Sequence, residues 1–161
     1  HVVIWGTSSG GNTALLVGLT GDEERYETTE HAGYSDKVNA VVSCFGPTNM
    51  ERLMKPYMEA GEIGLGLALC GSNDMEVWKK VADEMSPVNH VEAGKEYPPF
   101  LLLHGTEDKV VLPDQMEEMY YKLLDYGVDA QAYLVDGAVH EGNFWTLKIR
   151  SLIMEFLQKN M

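Results

Sequence analysis

The stretch Gly6-Thr7-Ser8-Ser9-Gly10 places a hydroxyl between glycines, directly behind the apolar run Val2 to Trp5 and ahead of a helical pattern that includes Ala14 and Leu15. A sharp strand-to-helix turn brings neighbouring backbone very close, and glycine on either side of the central residue removes the Cβ atoms that would collide. Such a turn lifts the Ser8 hydroxyl beyond the carboxyl end of the strand. It also aims the Ser9 amide at the oxygen that a tetrahedral intermediate would carry. Ser8 is therefore a candidate nucleophile, Ser9 N–H a candidate oxyanion donor, and Gly6 and Gly10 the residues that make the turn possible. A phosphate loop is the competing reading, because Gly6, Gly11 and Thr13 fit G-x-x-x-x-G-K-[ST]. Asn12 stands at the lysine position, which removes the principal side-chain contact to the phosphates, so the nucleophile reading is preferred.

A serine hydroxyl is a poor nucleophile near neutrality and needs a histidine within hydrogen-bond reach, itself oriented by a carboxylate. Five histidines are available: His1, His31, His90, His104 and His140. In open α/β sheets functional groups gather beyond the carboxyl ends of strands, and His140, in VDGAVHEGNFW, follows such an end. His104 does too, but it lies inside FLLLHGTEDKVV beside the residues that supply the acid, and its expected role is to brace that turn from within. Asp108 is the preferred acid, since it sits four residues beyond the third strand's end at the Gly105-Thr106 turn; Glu107, Asp114 and Asp136 are alternatives. The chain order serine, acid, histidine is that of one hydrolase fold and differs from the orders of chymotrypsin and subtilisin. No H-x-H, H-E-x-x-H or paired-cysteine spacing occurs, so neither a metal nor a cofactor is expected.

These residues must be positioned by an alternation of strands and helices. Short apolar runs at Val2 to Trp5, Val38 to Phe45 and Phe100 to His104 read as strands covered on both faces, with Ala130 to Val135 as a fourth. Met116, Met119, Tyr120, Leu123 and Leu124 share a helical face between Pro113 and Gly127, and Trp145, Ile149, Leu152, Ile153 and Phe156 share another in the tail from Asn143 to Lys159. Strands alternating with helices predict a mostly parallel sheet flanked by helices. The segment 48–90 breaks the alternation with a Met-rich piece, a glycine-studded piece and a helix from about Asp74 to Glu84 capped by Asn73 and Glu76. It reads as a lid-like helical insertion, although Trp78 and Val81 at a spacing of three are expected to be ordinary core packing. The polar stretch Gly21 to Lys37 reads as a solvated connection, and the 161 residues as a single domain.

Bulk properties narrow the partners. With 12 Lys and Arg against 25 Asp and Glu, a formal charge of −13 repels polyanions, so no nucleic-acid partner is expected. No apolar run is long enough to span a bilayer, and no basic leader with a small-residue cleavage site opens the chain. A cytoplasmic location is the expectation. Cys44 and Cys70 do not make a disulfide framework, and Cys44, in an apolar run, reads as a buried thiol.

With these placements the chain resembles the α/β-hydrolase fold, specifically the acetyl-esterase and hormone-sensitive-lipase-like carboxylesterases. The resemblance is carried by GTSSGG, VNAVVSCFGPTN, SPVNHV, PPFLLLHGTEDKVV and GAVHEGNFW, and spans nearly the whole chain. It implies hydrolysis of small-molecule carboxylic esters, often of short acyl groups such as acetate, through an acyl-enzyme on Ser8 without a cofactor. Ser9 replaces a common alanine, and Glu141 stands where a glycine commonly follows the histidine. The resemblance also implies that the family's first strands and His-Gly-Gly oxyanion loop would precede residue 1, the chain corresponding to the carboxyl half from the fifth strand to the eighth. This piece alone is accordingly expected to be weak or inert, with an exposed edge at its first strand that invites pairing with another copy. Two other readings stand beside it: a serine peptidase of the prolyl-oligopeptidase kind, similar in HGTEDKVV and LLDYGVDAQAYLV, and a hydrolase-fold protein that binds without catalysis.

Overall fold

The computed structural model describes residues 1–30, 32–61 and 64–161. His31, one of the five histidines considered above, lies outside the described residues. The chain alternates as the patterns require. Strand β1 (Val3–Thr7) is followed by helix α1 (Ser9–Thr20), and β2 (Ala40–Cys44) by three helices, α2 (Met50–Glu59), α3 (Gly64–Cys70) and α4 (Met75–Glu84). Then come β3 (Phe100–Gly105), α5 (Asp114–Asp125), β4 (Ala130–Val135) and α6 (Leu147–Asn160). The four strands lie in the order β1-β2-β3-β4, all parallel, with Gly6 opposite Ser43, Cys44 opposite Leu103 and His104 opposite Leu134.

Every residue of β2 and β3 is buried, which explains why they read as unbroken apolar runs rather than alternating ones. Ala14, Leu15, Val41, Phe100, Met119 and Leu123 fill one side of the sheet under α1 and α5. Val42, Cys44, Leu103, Phe144, Ile153 and Phe156 fill the other under α6. The outer strands are only partly buried, and Trp5 on β1 is exposed. Burial pushes the Cys44 thiol up to about 12, so it stays protonated and inert.

The insertion has its own small core, in which Met50, Met54, Trp78 and Ala82 are buried together, as expected of Trp78. Glycine at 66 is what admits Trp78, since a Cβ there would overlap the indole. The cap of α4 falls one residue later than the sequence suggested: Asp74, not Asn73, accepts a hydrogen bond from Glu76 N–H at 2.9 Å. Both ends of the insertion are tied to the sheet's helices. At its entry Thr48 Oγ1 donates to the Gln115 carbonyl at 2.6 Å and Thr48 N–H to Gln115 Oε1 at 3.1 Å, both buried. At its exit Ser86 Oγ accepts from Met50 N–H at 2.8 Å. The Asn12 side chain, from α1, donates to the carbonyls of Pro47 at 2.9 Å and Met85 at 2.8 Å and so joins the two ends. Among the described residues no helix is long and apolar enough to cross a membrane.

Helix α1 approaches the sheet most closely at Gly18, where a Cβ would strike Val41 Cγ2 and come within 3.2 Å of the Phe100 ring. Alanine normally favours a helix over glycine by about 1 kcal/mol, but overpacking a filled core costs about 1–3 kcal/mol, and Val41 is fully buried and stiff at χ1. Gly18→Ala is therefore expected to destabilise the protein, read as a lower denaturation midpoint in urea; an unchanged or higher midpoint would contradict this packing.

Candidate active site

The β1–α1 turn carries Ser8 in a conformation that side chains rarely adopt, with φ 51° and ψ −121°. The turn is held by Ser8 N–H, which donates to the Cys44 carbonyl on the neighbouring strand at 2.9 Å. Gly6 is required because a Cβ there would overlap the Gly10 carbonyl. For Gly10 the sequence argument needs correcting: a Cβ at that position would meet nothing within 4 Å, and it is the carbonyl of Gly10 that makes the close approach. A second glycine pair, unremarked in the sequence, does the corresponding work on the far side. A Cβ on Gly11 would come 3.0 Å from Gly46 Cα, and one on Gly46 would come 2.8 Å from Asn12 N. Ser9 opens α1, and its N–H is one of the first helical donors that have no carbonyl within the helix to bind.

Ser8, His140 and Asp108 form one hydrogen-bonded line. Ser8 Oγ lies 2.9 Å from His140 Nε2, and His140 Nδ1 lies 2.7 Å from Asp108 Oδ2. With a carboxylate at Nδ1, that nitrogen carries the proton and Nε2 is left to accept from the serine. The Asp108 side chain is fully buried and that of His140 is 16% exposed, so the far end of the line is dry and the near end meets solvent. Asp108 Oδ1 accepts from the N–H groups of Val110 at 2.8 Å and Val111 at 3.0 Å, which orients the carboxylate.

The two loops that deliver acid and histidine are stitched to each other. Gly137 N–H donates to Thr106 Oγ1 at 2.9 Å, and Glu107 N–H to the Ala138 carbonyl at 2.9 Å. Within the histidine loop Asn143 accepts from Val139 N–H at 2.9 Å and donates to the Gly137 carbonyl at 2.8 Å. The His140 ring rests on Phe45, whose ring stands edge-on at 4.9 Å between centroids and which itself has φ 43°. Sequence reasoning missed Phe45 as part of the site; its place at the end of the apolar run Val38 to Phe45 was the only available cue.

None of the other described candidates bonds to Ser8 Oγ or to His140 Nδ1. Glu107 is exposed and faces Lys109 at 3.5 Å, Asp114 pairs with Arg52, and Asp136 is exposed. His1 is exposed, while His90 is buried with Nε2–H donating to the Glu84 carbonyl at 2.8 Å. His104 is fully buried beneath the acid turn. Among the described residues no group of three or more His, Cys, Asp or Glu could hold a metal ion. In front of Ser8 lies a cavity of about 260 Å³, walled on the insertion side by Met50, Leu53, Tyr57 and Met85 and on the other by Val110 and Val111.

A parallel sheet with a serine on the strand-to-helix turn and the acid and histidine on successive loops at the same end is the α/β-hydrolase fold. The chain belongs to the BD-FAE family, whose model matches residues 1–123. Esterase LipC of Mycobacterium tuberculosis is 26% identical over 140 residues, which are 86% of this chain and 34% of that protein. Among solved structures, a truncated carbohydrate esterase from gut microbiota superposes with a TM-score of 0.74 at 24% identity, covering 97% of this chain and 58% of the other. A bifunctional GH43-CE of Bacteroides eggerthii gives 0.74 at 25%, covering 98% and 23%. The chain thus spans about a third of the curated relative and less than two thirds of these structures.

Two positions of the site, one sterically closed and one strained, respond oppositely to substitution. Gly6→Ala forces a backbone overlap and is expected to cost more than about 3 kcal/mol, seen as loss of the cooperative unfolding transition or a large drop in its midpoint. Glu141 holds φ 62° with an exposed side chain. Glu141→Gly relieves that strain and is expected to raise stability by about 1 kcal/mol in thermal or urea unfolding. A destabilised Glu141→Gly protein would show that the glutamate side chain outweighs its backbone cost.

Proposed function

We propose that this chain carries the nucleophile, base and acid of a serine esterase that cleaves carboxylic esters of short acyl groups. The observation that carries this reading is the unbroken line from Ser8 Oγ through His140 to buried Asp108, at 2.9 and 2.7 Å. Ser8 Oγ attacks the acyl carbon while His140 Nε2 takes its proton, and Ser9 N–H faces the oxygen that becomes negative. The tetrahedral intermediate collapses as His140 returns the proton to the departing alcohol, leaving the acyl group on Ser8. Water then repeats the sequence, with His140 again as base, and releases the acid. Asp108 keeps the proton of the resting imidazole on Nδ1 and stabilises the imidazolium formed in each half.

The printed names of the relatives support esters as substrates: LipC is called an esterase, and the structural neighbours include a carbohydrate esterase. The cavity before Ser8 supports a small, largely apolar acyl group, since methionine, leucine, valine, proline and tyrosine side chains form most of its wall. The helical insertion then acts as the specificity wall. A charge of −13 speaks against a nucleic-acid partner. The outermost place of β1 among the described strands supports association with a further strand or copy.

Labelling of the full-length protein by a fluorophosphonate, read by mass spectrometry, is expected at Ser8 and to vanish in Ser8→Ala; an unlabelled Ser8 in that folded protein would refute the nucleophile. Asp108→Asn is expected to slow hydrolysis of 4-nitrophenyl acetate by about 10³ to 10⁴ while leaving the fold intact. Faster turnover of a proline-containing anilide than of the acetate ester would favour a peptidase instead.

A further inference from the structure

The acid turn contains a second histidine that the reaction as described does not use. His104, at the end of β3, has no exposed surface. Its Nε2 lies 2.9 Å from the Val111 carbonyl and 3.2 Å from Asp108 Oδ2. Both neighbours are acceptors, so Nε2 carries the proton and its directed hydrogen bond runs to Val111. The positive edge of the same N–H faces Asp108 Oδ2, the oxygen that also receives His140 Nδ1. Val111 is thereby gripped at both ends of one residue: its carbonyl by His104 and its N–H by Asp108 Oδ1 at 3.0 Å.

We propose that His104 is a positioning residue of the active site, whose neutral imidazole fixes the Val111 backbone and, through it, the rotation of the Asp108 carboxylate toward His140. The inference rests on the reading of Ser8, His140 and Asp108 as the reacting set.

A carboxylate turned about its Cβ–Cγ bond would carry Oδ2 away from the imidazole, and Oδ1 alone, held by two backbone donors, does not prevent the Val110-Val111 turn itself from shifting. The His104 bond anchors that turn to β3, the most deeply buried strand with β2. The site also excludes the charged form of His104. Its Nδ1 is buried and meets no hydrogen-bond partner among the described residues, so a proton added there would be stranded. Burial correspondingly holds this histidine below its ordinary value, against the raising effects of Val111 and Asp108. A second imidazolium at the acid would compete with His140 for the same oxygen. A neutral donor steadies the carboxylate without neutralising it.

The test uses the full chain and the rate at which a fluorophosphonate labels Ser8. His104→Leu removes the donor at similar volume, whereas His104→Gln can place an amide N–H near the Nε2 position. The leucine variant is expected to label roughly tenfold to a hundredfold more slowly, and the glutamine variant to recover most of that loss. Equal labelling of the unsubstituted and leucine proteins would overturn the inference, and so would an equal loss in both variants, which would mark a packing role only. Failure of the unsubstituted protein to label at all would instead sink the nucleophile reading. Should the leucine variant not fold, ¹⁵N NMR of the unsubstituted protein decides: a neutral His104 ring with its proton on Nε2 is expected, and a proton on Nδ1 would refute the arrangement.

Discussion

Close backbone contact is the constraint on which this structure turns. To present one side chain clear of both a strand and a helix, the chain must reverse direction at Ser8 with its two arms touching. At Gly6 and Gly10 they touch so closely that no Cβ fits on the strand side. The helix that leaves the turn is also pressed against the exit of β2, less tightly, where Gly11 faces Gly46. These contacts make the position of Ser8 a property of the whole β1–β2 pair rather than of a flexible loop. The bond from Ser8 N–H to the Cys44 carbonyl adds a directed interaction to the steric one.

Strain follows from that constraint and collects near the reacting groups. Ser8, Phe45 and Glu141 all have positive φ without being glycine, and each borders the Ser8–His140 contact in sequence or space. Such conformations cost on the order of 1–3 kcal/mol each and persist only where surrounding packing overdetermines them. Here the surroundings are two fully buried strands with a hydrophobic layer on each face. The arrangement explains why Phe45 is worth its distortion: leaving β2 with φ 43° swings its ring under His140, where Phe144 packs against it at 4.8 Å between centroids. The imidazole is thus limited from below by an aromatic edge and from behind by Asp108.

What the sequence made legible has a common physical character. The parallel sheet could be read because strands buried on both faces leave continuous apolar runs such as AVVSC and FLLLHG. Ser8, Asp108 and His140 could be proposed together because each follows a strand end, and in a parallel sheet all those ends share one side. What stayed hidden depends on contacts between segments far apart in the chain. Nothing local announces that Gln115, inside a regular helix, would accept from Thr48 N–H, or that Asn12 would reach the carbonyls at both ends of the insertion. The N-cap of α4 slipped by one residue because Asn73 and Asp74 are both good caps and only the tertiary course of the loop chooses between them. The motif predicts a steric need at both Gly6 and Gly10, and only Gly6 has one, since the direction of a missing Cβ cannot be seen in a motif.

The hidden contacts also explain how an insertion of separate helices becomes part of the site. Its core of Met50, Met54, Trp78 and Ala82 is small, and a unit of that size would move freely over the sheet if joined only through its two ends. Instead its entry is bonded to Gln115 on α5, its exit to its own beginning through Ser86, and both ends to Asn12, one turn beyond Ser8 on α1. The residue that occupies the place of a phosphate-binding lysine in the competing reading therefore has a structural use: its amide is spent on two backbone carbonyls. Because the cavity before Ser8 is bounded by Met50, Leu53, Tyr57 and Met85, the wall that meets a substrate hangs from the same helix that begins at the nucleophile. Distance from the hydroxyl to the wall is then set by α1 and its bonds, and the shape of the pocket by side chains that can vary without disturbing the turn.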